Sequence, residues 1–285
     1  MDWPKLESLS IMKLVFALAL LLFDYNRKLP LDVRESGAQQ KDGVAVRDIT
    51  FANLEGGRTA AYLVAPPGKG KFSGVLFVHW YEPASKDSNR TQFLEEALAL
   101  AKKGTMSLLI ETMWSDPKWF ETRKPTEDFD NTVKQVKALR RALDVLLAQA
   151  GVDPKRLAYV GHDFGAMFGA VLAGVDHRPR AFALQAGTTS FSDWYLLGSP
   201  LKGEERQKFI EQMAPLDPSR YIGAAAPAAV LLQFGRSDHY VPEARATEFF
   251  ASANEPKKIL WYDAGHGLIE RARQDRLEWL QEQLK

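Results

Sequence analysis

The chain has no cysteine among its 285 residues. That excludes disulfides, thiolate metal sites, iron–sulfur clusters and a cysteine nucleophile together. It leaves the compartment open. Excess charge of one sign is also missing. Lys plus Arg number 37 and Asp plus Glu 36, a formal net charge of +1. No basic stripe stands out, so nucleic acid is not expected as a partner. The five histidines form no H-x-x-x-H pair, and no metal site is expected. Lys69-Gly70-Lys71 lacks the spacing of a phosphate loop and reads as a solvated turn. No cofactor is called for. Internal repeats and low-complexity tracts do not stand out.

A membrane span is not expected either. The apolar run Leu14–Phe23 has ten residues, and a spanning helix needs roughly 18 or more. The run has the length of a signal-peptide core, but no small-x-small cleavage site follows it. It is read as a short helix in an N-terminal extension, residues 1–43, of a cytoplasmic protein. Export, with 12–23 as a signal segment, is the alternative.

What is present is globular composition, 46% hydrophobic and 26% charged. From residue 44 the pattern becomes regular. The runs 44–51 and 58–65 flank Glu55-Gly56-Gly57 and read as an antiparallel hairpin. Continuous apolar runs then alternate with amphipathic stretches. Strands are expected at 74–79, 106–110, 156–160, 181–185, 229–234 and 259–262. Helices are expected at 91–103, 129–149, 164–173 and 269–283. Strands alternating with helices imply a mostly parallel sheet with helices on both faces. Residues 188–227, with a short helix at 204–213, read as a small cap-like insertion within one α/β domain, 44–285.

Chemistry concentrates at strand ends. Gly161-His162-Asp163-Phe164-Gly165 follows one apolar strand and opens an Ala/Gly-rich helix, the strand–turn–helix setting of a nucleophile elbow. The glycines allow close approach, and the helix N-terminus favours an anion at the central position. No G-x-S-x-G occurs, so Asp163 is the nucleophile this turn offers. Asp238 follows the strand 229–234 within Gly235-Arg236-Ser237-Asp238. His266 follows the last strand within Ala264-Gly265-His266-Gly267. Nucleophile, acid and histidine in that order match the chain order of an α/β-hydrolase triad. His79-Trp80-Tyr81-Glu82-Pro83 follows the first parallel strand, where that fold places an oxyanion loop.

From about residue 44 to the C-terminus the sequence resembles the α/β-hydrolase superfamily. The layout looks most like dienelactone hydrolases. The motif GHDFGA is similar to the GHDWGA of epoxide hydrolases and haloalkane dehalogenases, with Phe164 in place of the Trp and H-W-Y-E-P in place of their H-G-x-P loop. The resemblance implies a hydrolase acting on a small molecule.

A carboxylate nucleophile suits displacement at a saturated carbon, which gives a stable alkyl ester that water then opens. His266 would activate the water and Asp238 would orient the ring. The backbone N–H groups of Trp80 and Phe164 are the expected oxyanion donors. Tyr81, Tyr195 and Tyr240 are candidate proton donors to an epoxide oxygen. Trp80, Trp114 and Trp119 are candidate halide contacts, and Glu82 is a possible second acid. Two alternatives stand beside this reading. One is an esterase or lactonase of dienelactone-hydrolase type in which Asp163 acts as a base. The other is a non-catalytic binding protein.

Overall fold

A computed structural model describes residues 21–285. Of the run Leu14–Phe23, only Leu21–Phe23 fall within the described residues. Leu21 and Leu22 are exposed, while Phe23 is buried with its edge against Tyr221.

The elements in chain order are β1 (Arg34–Lys41), β2 (Val44–Ala52), β3 (Arg58–Ala65), β4 (Phe72–Val78), α1 (Leu94–Ala101), β5 (Thr105–Ile110), α2 (Trp119–Thr122) and α3 (Asp128–Leu147). They continue as β6 (Val152–His162), α4 (Phe164–Val175), β7 (Ala181–Gln185), α5 (Phe191–Tyr195), α6 (Gly203–Met213) and α7 (Pro218–Tyr221). β8 (Ala229–Gly235), α8 (Glu243–Ser252), β9 (Lys257–Tyr262) and α9 (Glu270–Gln283) complete the chain. The strands form a single nine-stranded sheet in the order β1-β2-β3-β5-β4-β6-β7-β8-β9. β1, β2 and β3 pair antiparallel, β3 joins β5 antiparallel, and the remaining pairs are parallel.

The apolar runs at the sheet's centre are strands because both of their faces are covered. Leu76 and Val78 face the layer of α3 and α4, while Val75 and Phe77 face α1 and α9. α4 is apolar all round and buried from Phe164 to Gly174. β1 carries no hydrophobic alternation, which is why the sequence did not announce it. Its residues are exposed, and the strand exists through pairing with β2. The segment between β7 and β8 holds α5, α6 and α7. Arg123 anchors this segment to the sheet domain. It pairs with Asp128 at the start of α3 and donates to the Tyr195 carbonyl at the end of α5.

Among the described residues, no helix is long and apolar enough to cross a membrane. Parallel strands point their carboxyl ends the same way, and this edge of an open α/β sheet is where ligands bind. The ends of β4, β6, β8 and β9 carry the residues considered next.

Candidate active site

β6 runs straight into α4 through one residue, Asp163, at φ 57° and ψ −116°. A left-handed φ is costly for a residue with a Cβ, so the surroundings must over-determine it. The close approach of strand and helix does so. A Cβ on Gly161 would lie 2.2 Å from the Gly165 carbonyl oxygen, and one on Gly165 would lie 2.1 Å from that of Val78. Gly165→Ala is therefore expected to destabilise the fold by more than about 3 kcal/mol. Loss of soluble chain, or a large fall in denaturation midpoint, would register it.

The turn lifts the Asp163 carboxylate into a cavity of about 640 Å³. The side chain is only 4% exposed. Burial raises its pKa from 3.8 to about 7, against the opposing pull of His266 and the N–H groups of Tyr81 and Phe164. Its two oxygens differ. Oδ2 faces the Tyr81 N–H at 3.4 Å. Oδ1 is buried with no hydrogen-bond partner.

His266 reaches the same cavity from the loop after β9. Its Nδ1 donates to Asp238 Oδ2 at 2.8 Å. The other oxygen of Asp238 accepts from the N–H groups of Tyr240 (2.8 Å) and Val241 (3.1 Å). Burial alone would raise the Asp238 pKa, but the bond from His266 and these amides hold it below the usual carboxylate range. With its Nδ1 proton committed, His266 presents Nε2 as a base, and Nε2 is buried without a partner.

The expected donor pair changes by one residue. The Trp80 N–H does not face Asp163; it donates to Gln92 Oε1 at 2.8 Å. The Tyr81 N–H faces Asp163 instead, at 3.4 Å from Oδ2. The Phe164 N–H also acts on the Asp163 carboxylate. The Trp80 side chain lines the cavity and lies parallel to the His266 ring, with centroids 5.9 Å apart.

Tyr81, Glu82 and Tyr240 line the cavity. The Tyr81 hydroxyl donates to the Pro117 carbonyl at 2.6 Å. Tyr240 is 58% exposed and stacks on Trp194. Trp114, Trp119 and Tyr195 are not on the cavity wall. Trp114 is buried against Phe164 and Phe168, its indole N–H donating to the His79 carbonyl. Trp119 packs edge-on against Phe164 from behind. Tyr195 is fully buried and bonds Thr132 at 2.8 Å. Tyr195→Phe is expected to cost about 1–3 kcal/mol, because Thr132 loses a buried partner, and to leave turnover unchanged. A urea titration beside a rate assay would check both.

In place of these three, Phe120 and Trp194 form the wall, with Leu197 and Gly198. Each of these two aromatics is the chain neighbour of a residue expected from the sequence, Trp119 and Tyr195. Successive residues on a helix point about 100° apart. The aromatic pairs are visible in the sequence, but which member faces the cavity is not. Trp194 lies 5.3 Å from His266 between ring centroids, and its indole N–H is buried without a partner.

No protein-family model matches the sequence, and no curated protein matches it. Solved structures do match. Acetyl xylan esterase 1 from Thermoanaerobacterium sp. is similar at 15% identity and a TM-score of 0.78, over 96% of this chain and 94% of that one. An acetyl xylan esterase from Paenibacillus sp. is similar at 16% identity and a TM-score of 0.74, over 94% and 93%. The α/β hydrolase GrgF from Penicillium sp. is similar at 15% identity and a TM-score of 0.62, over 83% and 98%. At such identities the likeness is one of fold. The chain has the α/β-hydrolase fold, with a mixed sheet and helices on both faces.

Proposed function

We propose that the chain is a hydrolase and that it works through an alkyl ester of Asp163. One observation carries the second part. The amide donors at the turn, Tyr81 and Phe164, are directed at the Asp163 carboxylate itself, with Oδ2 on the Tyr81 side. In an enzyme that attacks a substrate carbonyl, such donors serve the substrate's oxygen. Here they serve that carboxylate, so the carbon whose oxyanion they stabilise is Cγ of Asp163.

The steps follow from that. Oδ1 attacks a saturated carbon, and the leaving group departs with the bonding pair. Oδ2 becomes the carbonyl oxygen of the ester. His266 Nε2 takes a proton from water, the hydroxide adds to Cγ, and charge grows on Oδ2 against the Tyr81 amide. Collapse expels the alkoxide, which takes the proton back from His266. Asp238 holds the ring and stabilises its charged form.

The leaving group is a halide in the reading the polar groups support best. The Tyr81 phenol gives its proton to the Pro117 carbonyl and Tyr195 is bonded to Thr132 away from the cavity wall, which leaves Tyr240 as the candidate acid for an epoxide. Trp194 offers a buried, unpartnered N–H beside His266. An anion needs such a donor and no proton.

A second reading is ester hydrolysis with Asp163 as general base. Two observations support it. The similar structures include proteins named as esterases, and a carboxyl with a pKa of about 7 is poised for proton transfer.

A panel of bromohexane, styrene oxide and p-nitrophenyl acetate, followed by a single turnover in heavy-oxygen water, separates the two. The alkyl-ester route leaves the label in the peptide that carries Asp163 and a light product. A labelled product and an unlabelled peptide would rule that route out.

A further inference from the structure

We infer that Gln92 and His162 form a strut that positions the Tyr81 amide for hydrolysis of the ester, a role that rests on the alkyl-enzyme reading. Three hydrogen bonds run in series. The Trp80 N–H donates to Gln92 Oε1 at 2.8 Å. The Gln92 side-chain amide meets His162 Nδ1 at 2.7 Å. His162 Nε2 meets the backbone carbonyl of His266 at 2.9 Å.

The order of donors is determined by what is already used. Gln92 spends its oxygen on Trp80, so its nitrogen faces His162 and donates to Nδ1. A ring whose Nδ1 accepts carries its proton on Nε2, which donates to the His266 carbonyl. Burial, aided by the neighbouring His266, lowers the His162 pKa well below its ordinary value and keeps the ring in this neutral form.

The series ties together three loops that arrive separately: the one after β4, the turn before α4 and the one after β9. The Trp80 ring completes the clamp, lying 4.7 Å from the His162 centroid as well as parallel to His266. Because Gln92 holds the Trp80 N–H away from Asp163, the next amide in the chain, that of Tyr81, is the one directed at Oδ2. At 3.4 Å this contact is long. Such contacts tighten as charge develops, and the strut sets how far the loop can yield.

The two chemical steps depend on that amide differently. In alkylation Oδ2 loses charge, so the amide does not lower the barrier. In hydrolysis Oδ2 gains a full charge. Loosening the loop therefore slows the second step alone.

The test is Gln92→Met, which keeps the volume of this half-buried side chain and removes both bonds. The probe is bromohexane or styrene oxide, whichever the wild-type chain turns over. Alkylation, followed by rapid quench, is expected to stay within about twofold of wild type. Hydrolysis is expected to fall by about tenfold or more, short of the ~10²–10³ lost when an oxyanion donor is removed outright. Mass spectrometry should then find the alkyl group on the Asp163 peptide in the steady state. Gln92→Glu still accepts from Trp80 and is expected to hydrolyse faster than Gln92→Met. Equal losses in both steps, or no loss in either, would overturn the strut. An adduct in His266→Gln but not in Gln92→Met would do the same while leaving the alkyl-enzyme reading intact. No adduct in either variant would overturn both.

Discussion

Asp163→Asn is expected to abolish turnover and, at alkaline pH, to make the fold more stable. The catalytic loss follows from the proposed chemistry. An amide oxygen is too weak a nucleophile to displace a leaving group, and removing the nucleophile of a triad costs about 10⁴-fold or more in kcat. The gain in stability follows from linkage. Burial raises the folded-state pKa of Asp163 from 3.8 to about 7, so the folded chain binds this proton more tightly than the unfolded one. The stability associated with it is fully present below about pH 4 and is lost as pH rises through about 7. Asn escapes the loss. At about pH 8 the variant should exceed wild type by on the order of a few kcal/mol, and the gap should close toward about pH 4. Thermal unfolding at several pH values, with mass spectrometry to verify that the amide has not reverted, would measure it. An Asn variant that still hydrolyses its substrate would exclude Asp163 as the nucleophile.

His266→Gln is expected to stop the reaction halfway. Alkylation uses Asp163 Oδ1, which has no protein partner to displace. Hydrolysis needs a base at Nε2, and the amide of Gln has none. The variant should react once and retain the alkyl group on the peptide containing Asp163. Intact mass would show the chain heavier by the alkyl fragment, with turnover down by about 10³-fold or more. A variant that stays unmodified while losing activity would instead favour His266 acting before any covalent step, as the ester-hydrolysing alternative requires.

The pH dependence of the two steps separates them again. Attack needs ionised Asp163, so the rate of alkylation should rise with pH through about 7, where this carboxyl titrates. A stopped-flow profile that stays flat across that range would mean that the attacking group is not Asp163.

Much of this architecture is legible before folding. Strands such as 181–185 and helices such as 204–213 stand out because burial on one or two faces imposes a period on the sequence, and the structure places them within a residue or so. β1 does not stand out, because an exposed edge strand needs a partner and no apolar face. The cluster at the strand ends is legible for a different reason. Gly161 and Gly165 are the residues a steric requirement leaves possible, and they mark the turn that presents Asp163.

The limits are equally physical. The sequence shows a Trp-Tyr pair after the first parallel strand and another in α5, but not which amide of the first pair faces Asp163 or which ring of the second lines the cavity. In the first, the outcome rests on Gln92, distant in the fold's loops and silent in any motif, which takes the Trp80 amide and leaves that of Tyr81 for Asp163. In the second it rests on Thr132, which draws Tyr195 into the core and leaves Trp194 on the wall. The absence of cysteine, with no serine at the turn, leaves Asp163 as the nucleophile the sequence offers for the proposed chemistry. The tertiary structure alone decided what faces that carboxylate, because hydrogen-bond partners come from segments far apart in the chain and carry no local period.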